Sequence, residues 1–229
     1  MFDTQINLKW LEDSIVKYEQ EPIEKGKIVF YGHSLFTRWG SPKWGFRRLD
    51  EDIRNKDGSL ACVNHGFGTS TSEEMLYYYD RMVRPWEPKG LVMMSLANDG
   101  MYGMSVEQTL SNIFKICHWA RTDFPGIKIY LIESHPNPKG GQSPLRDEWN
   151  AGFHRTRRYN QALALYAQTH EDTEVITLWD RPEFFETPED VGNPHKVRAE
   201  LFADDGVHLN QAGYDVFGPI VRDALDEIL

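Results

Sequence analysis

Cysteine is scarce: only Cys62 and Cys117 occur in 229 residues. Two thiols cannot build a disulfide framework or a thiolate zinc site, and each lies in an apolar stretch, so both read as reduced and buried. Positive charge is also in short supply. The chain has 25 Lys and Arg against 35 Asp and Glu, a net charge of −10. Binding to a phosphate backbone needs a basic patch, so a nucleic-acid partner is excluded. The dense basic run Arg155-Thr156-Arg157-Arg158 reads as a solvated helix face. No apolar run is long enough to cross a bilayer. The first twenty residues lack a basic start followed by an apolar stretch, and they read as a helix rather than a signal peptide. The expected setting is the cytoplasm, without stable membrane association. No two of the eight histidines have the helical spacing of a zinc motif, so no metal is expected. There is no internal repeat and no low-complexity segment.

What is present is an ordinary globular composition, 40% apolar and 26% charged, sized for a single domain over 1–229. Five short apolar runs read as strands: Lys27–Tyr31, Leu60–Asn64, Gly90–Ala97, Lys128–Glu133 and Glu174–Trp179. They are nearly continuously hydrophobic, as strands covered on both faces are. Helical spacing marks Leu8, Leu11, Ile15 and Tyr18; then Met75, Leu76, Tyr79 and Val83; then Val106, Leu110, Ile113, Phe114 and Cys117. It recurs at Tyr159, Ala162, Leu163, Tyr166 and His170, and at Tyr214, Phe217, Val221, Leu225 and Ile228. Strands alternating with helices predict an α/β fold with a parallel sheet between helical layers. Residues 134–150 and 181–203, rich in Pro, Gly and charge, follow strands and would form loops over the crevice at the strands' carboxyl ends.

Four short blocks lie at that same edge: Gly32-His33-Ser34 after the first strand, Asn64 to Ser70 after the second, Asn98-Asp99-Gly100 after the third, and Asp205-Gly206-Val207-His208 before the last helix. Each alone has a bland reading. A Ser after a strand caps a helix, Asn-Asp-Gly and Asp-Gly make turns, and Asn210 looks like the cap of the last helix. Together they supply an acyl-transfer site. Ser34 needs a base to remove its proton, His208 can be that base, and Asp205, three residues earlier, can fix its ring. The Ser34 amide, an amide of the Gly68–Thr69 turn and the Asn98 side chain could bind an oxyanion.

These blocks resemble the SGNH (GDSL-type) hydrolase family from about Lys27 to about Leu225. Gly32-His33-Ser34 matches its Gly-Asp-Ser, Asn64–Thr71 its Asn followed by a glycine-containing turn, Leu96-Ala97-Asn98-Asp99 its Gly-x-Asn-Asp, and Asp205 to His208 its Asp-x-x-His. The resemblance implies a three-layer α/β/α sandwich with a flavodoxin-like five-stranded parallel sheet. It also implies Ser34 as nucleophile, His208 as base, Asp205 as orienter, Asn98 as oxyanion donor, and no metal or organic cofactor. Three positions depart from the pattern: His33 replaces an acid, Leu96 a glycine, and Thr69 stands where the oxyanion glycine would fall. His33 and His135 are expected beside the substrate. Trp39 and Trp44 are candidates for the acyl pocket or for packing. Trp149, Phe184, Phe185 and Phe202 are candidates for ligand contact or loop anchoring, and His195 reads as solvated. The expected partner is a small-molecule ester with a short acyl group, carried on a carbohydrate, a lysophospholipid or a simple alcohol. An acyltransferase with the same triad and an inactive ligand-binding relative are the alternatives. The sequence leaves a homo-oligomer open.

Overall fold

A computed structural model describes residues 11–139 and 146–229, without the side chains of 146–153. Leu8 and Trp149 therefore lie outside what can be described. The elements in chain order are α1 (Glu12–Glu19), β1 (Ile28–Gly32), α2 (Ser34–Arg38), α3 (Leu49–Asp52), β2 (Cys62–Gly66), α4 (Ser72–Met82), β3 (Gly90–Met94) and α5 (Ala97–Met101). There follow α6 (Val106–Asp123), β4 (Lys128–Ile132), α7 (Arg146–Ala167), β5 (Thr173–Ile176) and α8 (Gln211–Ala224).

All five strands are parallel, in the order β2-β1-β3-β4-β5. This is the flavodoxin-like doubly wound order, with its switch point between β1 and β3. The continuous hydrophobicity of β1 and β3 follows from their place: every residue of both is buried. Val29, Tyr31, Leu91 and Met93 point into the core under α1, α4, α6 and α7, where they meet Ile15, Met75, Ile113 and Leu163. Ile28, Phe30, Val92 and Met94 point the other way, to Trp39, Leu49 and the Tyr214-Phe217-Val221 stripe of α8. The sheet is thus sandwiched between two helical layers, each helix laying one apolar stripe on it. Both cysteines are free and buried. Among the described residues, no helix is long and apolar enough to cross a membrane.

Helix starts are set by local polar chemistry. Ser105 and Gln108 form a reciprocal capping box on α6, with contacts of 3.2 and 2.8 Å. Asn210 caps α8 by accepting from the Gly213 amide at 3.1 Å, as its position in the sequence suggests. Strand ends differ more from the sequence pattern. β2 runs on through Asn64, His65 and Gly66. As an edge strand it tolerates polar residues where the apolar pattern stops, so the loop begins only at Phe67. β3 ends at Met94, because Leu96 takes φ +101° and turns the chain into α5 at Ala97. The 181–203 stretch, charged overall, is held down by Phe184, Phe185, Val197, Leu201 and Phe202, all in the α8-side core, and by a Phe185–Val197 bridge.

Candidate active site

Ser34 is the first residue of α2, two residues beyond the end of the interior strand β1. The Gly32 before it is a packing requirement: a Cβ there would stand 2.6 Å from the Met94 carbonyl oxygen of β3. At the far end of α2, Asn64 donates to the carbonyls of Phe36 at 2.7 Å and Trp39 at 3.1 Å. It so ties down the last turn of α2, where the Trp39 carbonyl has no intrahelical partner. The second block thereby fixes the helix that carries the serine.

The loop before α8 brings two more groups to this point. The Ser34 hydroxyl lies 2.8 Å from His208 Nε2. On the other side of the ring, His208 Nδ1 lies 2.8 Å from Asp205 Oδ2. A carboxylate facing Nδ1 holds the proton there and leaves the Nε2 lone pair directed at the hydroxyl. Asp205 is itself fixed, its Oδ1 accepting from the backbone amides of Val207 at 3.0 Å and His208 at 2.9 Å. Burial alone would raise this carboxyl. The two amides and the His208 ring outweigh it and hold Asp205 well below the usual carboxylate range. Burial lowers His208 below its ordinary value, against the pull of Asp205. The imidazole is therefore neutral, and able to take a proton, at neutral pH. Asp205 Oδ2 has one further neighbour, Arg38 Nη1 at 3.3 Å, and the Arg38 guanidinium lies over the Trp44 ring, 4.4 Å from its centroid.

The candidate oxyanion donors lie on the segments that follow β1, β2 and β3. Among the described residues the amides of Ser34, Gly68 and Thr69 make no hydrogen bond. Asn98, on α5, spends one amide hydrogen on the Ser70 carbonyl at 2.8 Å, which ties it to the Gly68–Ser70 turn. Two of the three departures from the family pattern fall on unusual backbone. Thr69 has φ +66° and Leu96 φ +101°, the region where glycine sits without strain and where a branched side chain costs on the order of 1–2 kcal/mol. The glycines of the pattern thus have a conformational reason, and this chain keeps the conformation without them.

Asp99 holds the Leu96 turn. It is fully buried and its Oδ1 accepts from the Ser72 amide at 3.0 Å, the Ser72 hydroxyl at 2.5 Å and the Thr109 hydroxyl at 3.1 Å. Its Oδ2 accepts from Ser95 at 2.9 Å and from the Leu96 amide at 3.3 Å. In the sequence this residue belongs to a turn and to the third family block but has no assigned role, because Ser72 and Thr109 lie on α4 and α6.

The two histidines expected beside the substrate are both buried, His33 at 4% and His135 at 6% exposed, so a ligand can touch little of either. His135 Nε2 donates to the Val207 carbonyl at 2.8 Å and its ring stacks on Phe202, propping the Asp205–His208 loop. His33 caps α2 through Nδ1, which faces the Leu35 amide at 3.4 Å, and its buried Nε2 has no partner among the described residues. Burial, with the neighbouring His135, drives His33 down to about 3, and burial brings His135 to about 4. Trp39 is core, stacked on Tyr214 and bonded through Nε1 to Asp52 at 2.8 Å. Trp44 is 41% exposed and remains available at the rim. Phe184, Phe185 and Phe202 are loop anchors, and His195 is exposed.

The model of the GDSL-like lipase/acylhydrolase family matches residues 30–216. The chain belongs to this family. No curated protein matches it. Among solved structures, a GDSL-like lipase from Bacteroides thetaiotaomicron superposes with TM-score 0.69 at 19% identity, covering 97% of this chain and 98% of that one. A lipase/acylhydrolase from Enterococcus faecalis gives 0.64 at 18% identity over 88% and 96%. An acetyl xylan esterase gives 0.65 at 16% identity over 87% and 99%. At these identities the likeness is one of fold, and the GDSL-type hydrolase has the α/β/α sandwich that its sequence pattern predicts.

Proposed function

We propose that this GDSL-type hydrolase cleaves short-chain carboxylic esters, acetyl esters among them, through an acyl-enzyme on Ser34. The observation that carries the reading is the unbroken relay Ser34–His208–Asp205, with both contacts at 2.8 Å. His208 Nε2 takes the hydroxyl proton as Ser34 Oγ bonds to the ester carbonyl carbon. The oxyanion is met by the Ser34 amide, the Gly68–Thr69 turn and Asn98. His208 then gives its proton to the alcohol oxygen as the C–O bond breaks. Water attacks the acyl-enzyme with its proton passing to His208, and the proton returns to Ser34 as the carboxylic acid leaves. Burial of the His208 ring favours this cycle, because the neutral form is the resting base. The acetyl xylan esterase among the fold relatives makes an acetylated carbohydrate a reasonable first natural substrate to assay.

The test is hydrolysis of p-nitrophenyl acetate, butyrate and octanoate by the wild type and by Ser34→Ala. The expected result is rapid hydrolysis of the shorter esters by the wild type and a loss of roughly 10⁴-fold or more in kcat for the variant. Equal rates for the two proteins would remove Ser34 from the mechanism. A preference for octanoate would overturn the short-chain reading alone.

A further inference from the structure

We infer that Arg38 is a positioning residue for the Asp205–His208 pair, clamping it to the helix that bears the nucleophile. The inference rests on the triad reading above and adds to it a group that lies outside the four sequence blocks.

The geometry is that of a closed ring. Ser34 and Arg38 are the first and last residues of α2, four apart, and so they project from one face of the helix. Ser34 meets the Nε2 side of His208 at 2.8 Å, and Arg38 meets Asp205 Oδ2 at 3.3 Å. Asp205 Oδ2 is also the atom that accepts from His208 Nδ1. The dyad is therefore held at both ends by one short helix, although it belongs to a loop about 170 residues away. Arg38 is in turn held in place. Its side chain is only 17% exposed, and its guanidinium carbon lies over the Trp44 ring, 4.4 Å from the centroid, a contact that suits a delocalised cation. Asp205 is more exposed, at 38%. Without the clamp, its two local amides and the His208 ring, all on its own loop, would be left to keep the carboxylate from swinging toward water.

The same contact bears on the base. The charged and titratable groups that face His208 are Asp205, Arg38, His33 and His135. Asp205 favours the imidazolium, whereas Arg38 disfavours it directly and draws on the same carboxylate oxygen. Removing the positive charge should therefore move the acid limb of kcat/KM to higher pH. Lysine keeps the charge but lacks the delocalised guanidinium that lies over Trp44.

The experiment measures kcat and KM for p-nitrophenyl acetate from pH 5 to 9 in wild type, Arg38→Met, Arg38→Lys and Ser34→Ala, with a thermal melt of each. For Arg38→Met we expect kcat to fall on the order of tenfold or more, KM to stay within about twofold and the acid limb to move up. Arg38→Lys should keep the acid limb and lose less of kcat. A role in folding alone would lower the melting temperature and leave the limb in place. An Arg38→Met enzyme with wild-type kcat and limb, beside an inactive Ser34→Ala, overturns the clamp and leaves the triad intact. A rise in KM at constant kcat would make Arg38 a substrate contact and also overturns it. A fully active Ser34→Ala removes the triad and the clamp with it. Should Arg38→Met fail to melt cooperatively, Arg38→Lys decides, since a clamp requires its kcat to fall while its limb stays.

Discussion

Replacing Asp99 by Asn should both loosen the fold and slow the reaction, and the size of each effect can be worked out from its five contacts. An ionised carboxylate only accepts, and all five neighbours donate. In the amide, one oxygen becomes an NH2 group. Placed on the Ser72 and Thr109 side, the NH2 faces three donors. On the Ser95 and Leu96 side it faces two, and the Ser95 hydroxyl can rotate to accept from it. The second placement is therefore preferred, and it leaves the Leu96 amide buried and unpaired, which costs about 1–3 kcal/mol. The three bonds that remain lose their ionic character, which brings the total to about 2–4 kcal/mol. For a chain of this size that is a fall in melting temperature on the order of 5–15 °C. The Leu96 amide begins the left-handed turn that aims Asn98, so kcat should drop by on the order of 10–100-fold with KM little changed. Urea unfolding and p-nitrophenyl acetate kinetics on the same preparations read both effects. An unchanged urea midpoint together with unchanged kcat would refute the reasoning, because it would mean that the buried carboxylate holds neither the loop nor the turn.

Asn98→Ala should lower kcat by on the order of 10²–10³ with little effect on KM, as loss of one oxyanion donor does; an equal rise in KM would place Asn98 in ground-state binding instead. Thr69→Gly should keep activity and raise stability by about 0.5 kcal/mol, since relief of the left-handed strain slightly exceeds the added freedom of the unfolded chain; a loss of stability in urea would show that Thr69 is not strained. Burial depresses His33, His65 and His135 to about 3, 4 and 4, so the unfolded chain binds protons that the folded one refuses. Stability should then fall as pH drops from about 6.5 toward 4, by about 1.4 kcal/mol per pH unit for each such histidine, and a urea midpoint constant from pH 7 to pH 5 would contradict their burial in the neutral form.

Much of this architecture is legible in the chain because burial on two faces writes a plain signal. Strands β1, β3 and β4 lie inside the sheet, and their apolar runs are continuous. The four site blocks are legible for a related reason: in a doubly wound sheet the segments after the strands must gather at one edge, so sequence-distant blocks predict a single crevice. The edge strand β2 is less clear. Asn64 and His65 belong to it while breaking the apolar pattern, since one serves α2 through its amide and the other donates to the Met82 carbonyl. The overrun of β3 has the opposite origin, an apolar Leu96 that continues the run in sequence while its backbone turns away.

What stays hidden is the set of side chains whose meaning depends on a distant partner. Arg38, four residues after a serine on a short helix, carries no signal of its own in the sequence, and its partner Asp205 arrives on a loop far along the chain. Asp99 reads as part of a turn until Ser72 and Thr109 arrive from two other helices. His33 is the reverse case: it stands beside the nucleophile in sequence, where contact with substrate is the natural expectation, and the fold buries it as the cap of α2. Short sequence blocks thus point to the candidate chemical groups, because the segments that follow the strands and precede the last helix gather at one edge. The residues that hold them still are chosen by packing between elements. On the proposed mechanism, Arg38 fastens the loop of the candidate base and Asp99 the turn of the candidate oxyanion donor. A double substitution there tests the division. Arg38→Met should shift the pH profile and Asp99→Asn should not. If the two act on separate halves of the machinery, their effects on log kcat should add in the double variant to within about 0.3–0.5 kcal/mol.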